Sequence, residues 1–126
     1  MTTTRILAAF FILVIPSIAQ SETCDGTTHD TAVCLLGVFK KVDAELNVVY
    51  QRSLKVARDP YTPQDFQNLK DAERKWIAYR DAACKAERGL WGLGTGASAA
   101  HSVCLIRITR ERIAALKEAY LMEEQN

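Results

Sequence analysis

Four cysteines, Cys24, Cys34, Cys84 and Cys104, constrain the fold of this chain more than any other feature, because of the segment that precedes them. The chain opens MTTTRILAAFFILVIPSIAQSE, with one positive charge at Arg5, an apolar core from Ile6 to Ile15, and small residues at Ser17 and Ala19. That is the build of a cleaved secretory signal peptide over residues 1–19, which leaves one small domain over residues 20–126. The apolar run is well short of the roughly 20 residues that span a bilayer, and Pro16 interrupts it, so no membrane anchor is expected after cleavage. Cys24 follows Gln20-Ser21-Glu22-Thr23 and not the cleavage point, which argues against a lipid-modified cysteine. An exported chain with an even cysteine count is expected to form two disulfides, in the periplasm or outside the cell. Zinc is the competing use of these cysteines, with help from His29 or His101. The lack of any Cys-x-x-Cys pair and the oxidising destination favour bridges, and neither a metal nor another cofactor is expected.

Helical periodicity organises the rest of the chain. Over residues 27–57, Leu35, Val38, Phe39, Val42, Leu46, Val49 and Tyr50 recur at helical spacing, behind a capping signal made by Thr27 and Asp30. The segment DPYTP, residues 59–63, breaks the chain; Thr62, Pro63 and Asp65 then start a second helix over 63–88. One side of it carries Phe66, Leu69, Glu73, Trp76, Arg80 and Cys84. The glycine-rich GLWGLGTGA follows, and the helical period returns over 98–123 in Leu105, Ile108, Thr109, Arg112, Leu116 and Tyr120. No segment alternates with period two. The expected architecture is all-α, a three-helix up-down-up bundle.

Antiparallel packing places the start of the first helix beside the end of the second and the start of the third. All four cysteines then gather at one end, next to the glycine-rich connection. Three pairings are open to them. The pairing expected here is Cys34 with Cys84 and Cys24 with Cys104.

Two arginines sit on faces that should be apolar. Arg80 lies one turn from both Trp76 and Cys84, and Arg112 lies on the Leu105–Ile108–Leu116 stripe. A guanidinium in such a place must find carboxylates or carbonyls, or reach water. Asp43, Glu45, Glu73 and Asp81 are the candidate acids, with Asn47 and Thr109 as neutral partners. The expected role is a structural polar network of Asp43, Asn47, Arg80, Asp81, Thr109 and Arg112 that fixes helix register.

No catalytic site is expected. His29 and His101 have no nucleophile or acid constellation around them, and GLGTGAS lacks the lysine and preceding strand of a phosphate-binding loop. The chain has 16 basic and 15 acidic residues, and Arg5 belongs to the signal peptide, so the remainder is balanced. A balanced chain has no net field to draw it to nucleic acid.

Three stretches, DAELNVVY (43–50), LKDAERKWIAYRDAAC (69–84) and CLIRITRERIAAL (104–116), resemble the LprI-type lysozyme-inhibitor domain family of small exported bacterial proteins. The resemblance spans nearly all of residues 20–126, and its most specific part is Trp-Ile-x-Tyr-Arg-Asp-x-x-Cys. Asp43, Leu46, Asn47, Tyr50, Trp76, Arg80, Asp81, Thr109 and Arg112 fall on the family's pattern, whereas Glu73 stands where the pattern usually has glutamine. The resemblance implies an exported helical domain that inhibits a lysozyme.

Two functional readings follow. In the first, the chain is an inhibitor whose contact element is the connection between the second and third helices. Leu90, Trp91 and Leu93 would be its apolar contacts, although Trp91 is expected to fold back over the bundle end. Lysozymes are typically basic, so local acid at Glu118, Glu123 and Glu124 would supply attraction. The alternative is a non-inhibitory envelope module that binds another protein or a small ligand through Arg107, Arg110 and Lys117, expected on one outer face of the third helix.

Overall fold

The computed structural model describes residues 23–58 and 63–122. The expected signal peptide, the Thr62 cap and residues 123–126 lie outside the described residues. Three helices make up the fold: α1, Thr28–Ala57; α2, Pro63–Gly89; and α3, Gly96–Tyr120. No strand occurs among the described residues. Helix α3 starts two residues earlier than the sequence suggests and stops at Tyr120, where the Leu121 N–H closes on the Lys117 carbonyl at 2.9 Å.

Helix α1 begins at a reciprocal cap. The Thr27 N–H donates to Asp30 Oδ2 at 3.1 Å, and the Asp30 N–H donates to Thr27 Oγ1 at 3.2 Å. The Thr27 hydroxyl also donates to Asp30 Oδ2, and these bonds, the hydroxyl's first, hold the Asp30 carboxyl below its ordinary pKa. Val42, Leu46, Val49, Ser53 and Ala57 form the buried stripe of α1 at heptad-like spacing. Ser53 fits there because its hydroxyl donates back to the Val49 carbonyl at 3.0 Å.

Helix α3 lies between the other two. It packs extensively on α1 and substantially on α2, whereas α1 and α2 touch only sparsely. A central helix needs two buried faces, and α3 has them. Ile106, Ile113 and Leu116 join the core built with α1, while Leu105, Ile108 and Cys104 join a smaller cluster with Cys84 of α2. Phe39 and Trp76 pack against both clusters. The result is a bundle with a groove where α1 and α2 diverge over α3.

The disulfides are Cys24–Cys34 and Cys84–Cys104, which corrects the expected Cys34–Cys84 and Cys24–Cys104 pairing. The four cysteines share one end, but level along the bundle does not fix azimuth around each helix. Gly26, at φ 124°, turns the incoming chain in a conformation open to glycine, and Cys24 comes back onto α1 with its Cα 5.6 Å from that of Cys34. The Thr31 hydroxyl donates to the Cys24 carbonyl from the same side. Cys84 and Cys104 face each other across the antiparallel α2–α3 pair, with Cα atoms 5.5 Å apart and both side chains fully buried. All four cysteines are thereby committed to sulfur and are not available as thiolate ligands for zinc.

Candidate functional site

The charged groups inside the bundle come from a narrow seam of α2. Its buried residues are Leu69, Glu73, Arg80 and Cys84, with half-buried Trp76 between them. Half of that seam is ionic, and each charge is met from another helix or by a neighbour. Arg80 Nη1 donates to Asp43 Oδ1 of α1 at 2.9 Å and to Thr109 Oγ1 of α3 at 3.4 Å. Its Nε donates to Asp81 Oδ1 at 3.0 Å. The Arg80 guanidinium also lies 5.4 Å from the Phe39 ring and 5.2 Å from the Trp76 ring, within cation–π range.

One turn deeper, Arg112 of α3 makes a two-nitrogen contact with a single carboxylate oxygen. Its Nε and Nη2 donate to Glu73 Oε2 at 2.9 and 2.7 Å, with Trp76 again beside the cation. Nearby, burial first and the Glu73 charge second push the Tyr50 hydroxyl above its ordinary pKa of 10.0. No buried side-chain nitrogen or oxygen among the described residues lacks a hydrogen-bond partner. The buried part of this seam is internally satisfied, and Arg80 and Asp81 at its edge border a surface cleft.

The residues expected in a polar network divide accordingly. Asp43, Arg80, Asp81 and Thr109 come together, and Arg112 joins Glu73 instead. Asn47 is exposed on α1 and makes no side-chain hydrogen bond among the described residues, which removes it from the network. Glu73 is the member that the sequence pattern understates: one of several candidate acids there, it is the more buried partner of the pair, its side chain only 6% exposed.

The exposed end is different in kind. Beyond Gly89, i→i+3 bonds from the Leu90, Trp91 and Gly92 N–H groups to the Glu87, Arg88 and Gly89 carbonyls tighten the chain. Gly92, at φ 62°, then ends it in the left-handed conformation. The connection between α2 and α3 holds three apolar side chains in water: Leu90 is 86% exposed, Trp91 63% and Leu93 107%. Trp91 therefore does not cover the bundle end, contrary to expectation. Its indole edge lies along Gly96, with Cε3 3.7 Å from where a Cβ on that glycine would stand, and the rest of the ring faces out.

The base of this connection is braced. The Cys84–Cys104 bridge ties α2 to α3 below it, His101 Nδ1 lies 3.1 Å from the Cys84 carbonyl oxygen, and Arg107 Nη2 donates to Glu87 Oε1 at 2.6 Å. Arg107 thus reaches toward α2, whereas Lys117 reaches Glu45 of α1 at 2.9 Å. Of the basic residues expected on an outer face of α3, Arg107 and Arg110 are exposed, but Arg107 is paired with Glu87 and the half-buried Lys117 with Glu45. Of the expected acidic patch, Glu118 sits near the C-terminal end of α3, the far end from the loop, and Glu123 and Glu124 lie outside the described residues.

No helix among the described residues is long and apolar enough to cross a membrane. No solved structure matches this chain significantly. An uncharacterised protein of Rhizobium meliloti (strain 1021) is 34% identical over 105 residues, covering 75% of this chain and 73% of its own length. The family described as lysozyme inhibitor LprI matches residues 19–116, the whole helical domain up to the last turn of α3. On that match the chain belongs to the LprI lysozyme-inhibitor family.

Proposed function

We propose that this protein is an exported, non-enzymatic inhibitor that occupies a lysozyme's substrate cleft with the connection between α2 and α3. The observation that carries this reading is the exposure of Leu90, Trp91 and Leu93 on a loop braced by a buried disulfide. Three large apolar side chains in water at one tip cost solvation with no return inside the fold, and such patches mark contact surfaces. Tryptophan is a common anchor of interface energy. Bracing matters because a loop held in its bound shape loses less entropy on binding. Family membership names lysozyme as the class of target.

The test is lysozyme turnover of cell-wall substrate with the oxidised domain in excess, together with size-exclusion chromatography of the mixture. The expected result is inhibition and a complex. Trp91→Ala should weaken inhibition by about 2 kcal/mol or more, the range of an interface anchor, and leave the melting temperature unchanged. Undiminished turnover and no complex across the lysozymes tested would reject the reading.

A further inference from the structure

No Asp or Glu occurs from Arg88 to Arg110, a run that includes the whole connection and the first half of α3. At the base of the tip, Phe39, Leu105 and His101 help to line a cleft of about 470 Å³ where α1 and α2 diverge, and Lys85 and Arg88 stand on its rim. The two cations lie three residues apart on the last turns of α2, so they project from the same side.

What sets Lys85 and Arg88 apart from the other basic side chains is their place on the cleft beneath the apolar tip. Arg74, Arg80, Arg107, Arg112 and Lys117 each meet a carboxylate within 4.0 Å, but Lys85 and Arg88 meet none among the described residues. Asp81, the acid lining the same cleft, is held by Arg80 at 3.0 Å. Glu87, the nearest acid in sequence, is held by Arg107. His101 is fixed through Nδ1 to the Cys84 carbonyl, which leaves Nε2 as its free ring nitrogen. An apolar projection is thus flanked by two uncommitted cations on a rigid base.

We infer that Lys85 and Arg88 form an electrostatic clamp on the partner, pairing with carboxylates that line the apolar cleft receiving Leu90 and Trp91. This rests on the inhibitory reading above and specifies its recognition chemistry. A glycoside hydrolase cleft has that character, since two carboxyl groups flank its scissile bond about 5 to 9.5 Å apart. Attraction of this kind needs no net charge on either protein. It acts at contact range, where a cleft carboxylate is negative even in a protein that is basic overall.

The experiment is calorimetric titration of a purified lysozyme with the oxidised domain and with its Lys85→Gln/Arg88→Gln variant. Each is repeated against a lysozyme whose two catalytic carboxylates are changed to amides. The variant should bind native lysozyme on the order of tenfold more weakly, and with less dependence on salt. The amide lysozyme should show a similar loss, and combining the two changes should cost no more than either alone, the signature of a direct coupling. Both substituted side chains are exposed and unpaired, so the variant should melt where the native domain does. Full affinity of the variant, or strictly additive losses, overturns the clamp; if Trp91→Ala still weakens binding, the loop reading stands. No complex with the native domain overturns both.

Discussion

Arg80 shows how little an arginine's position on a helix face says about its role until its partners are known. Its side chain is only 9% exposed, yet Asp43 and Asp81, which hold it, are 39% and 57% exposed. Glu73 and Arg112 are the more enclosed pair, at 6% and 20%. Removing one member of a buried pair strands the other charge, whereas replacing it with an isosteric amide keeps a hydrogen bond. Glu73→Leu is therefore expected to destabilise the domain by about 3 kcal/mol. Glu73→Gln should cost about 1 kcal/mol. Chemical denaturation of the three proteins side by side measures both, and equal losses would show that the hydrogen bond kept by the amide contributes nothing once the charge of Glu73 is gone.

At the scale of elements, the helices were legible in the sequence because their caps and periods are local. Thr27 and Asp30 announce the start of α1, and Leu69, Glu73, Trp76, Arg80 and Cys84 mark the seam of α2 without ambiguity. Helix α3 was only half legible. A single stripe identified Leu105, Ile108, Thr109 and Leu116 but passed over Ile106 and Ile113, because a period search finds one face and a central helix has two. On the exposed face of α3, Arg107 and Lys117 are drawn to acids on different helices, Glu87 of α2 and Glu45 of α1, which no stripe on α3 alone could reveal. The disulfide pairing was not legible either, since spacing gives the height of a cysteine along the bundle and not the direction it faces. Cys84–Cys104 closes a span of 20 residues around the loop, and cross-linking such a span stabilises by roughly 3 kcal/mol in the chain-entropy account. Cys84→Ser/Cys104→Ser should lose about that much and also weaken lysozyme binding, because the loop base is freed. Thermal melts and inhibition assays on the same preparation check both effects. Lost stability with unchanged inhibition would mean that the bridge serves the fold alone.

For the whole molecule, the chain separates two tasks along its length. The middle of the bundle is an ionic seam among Asp43, Glu73, Arg80, Thr109 and Arg112, with every buried polar side-chain atom satisfied among the described residues. The disulfide end carries the exposed apolar tip and the uncommitted cations. The sequence pointed to this connection as the contact element but not to the exposure of Trp91, which depends on the path of the chain between α2 and Gly92 and not on residue type. The most direct measurement of this division compares Arg80→Met with Trp91→Ala for both melting temperature and inhibition of a lysozyme. The account predicts that Arg80→Met shifts stability by about 1–2 kcal/mol and retains inhibition, whereas Trp91→Ala retains stability and loses inhibition. The opposite pattern, with inhibition lost at Arg80 and stability lost at Trp91, would contradict it.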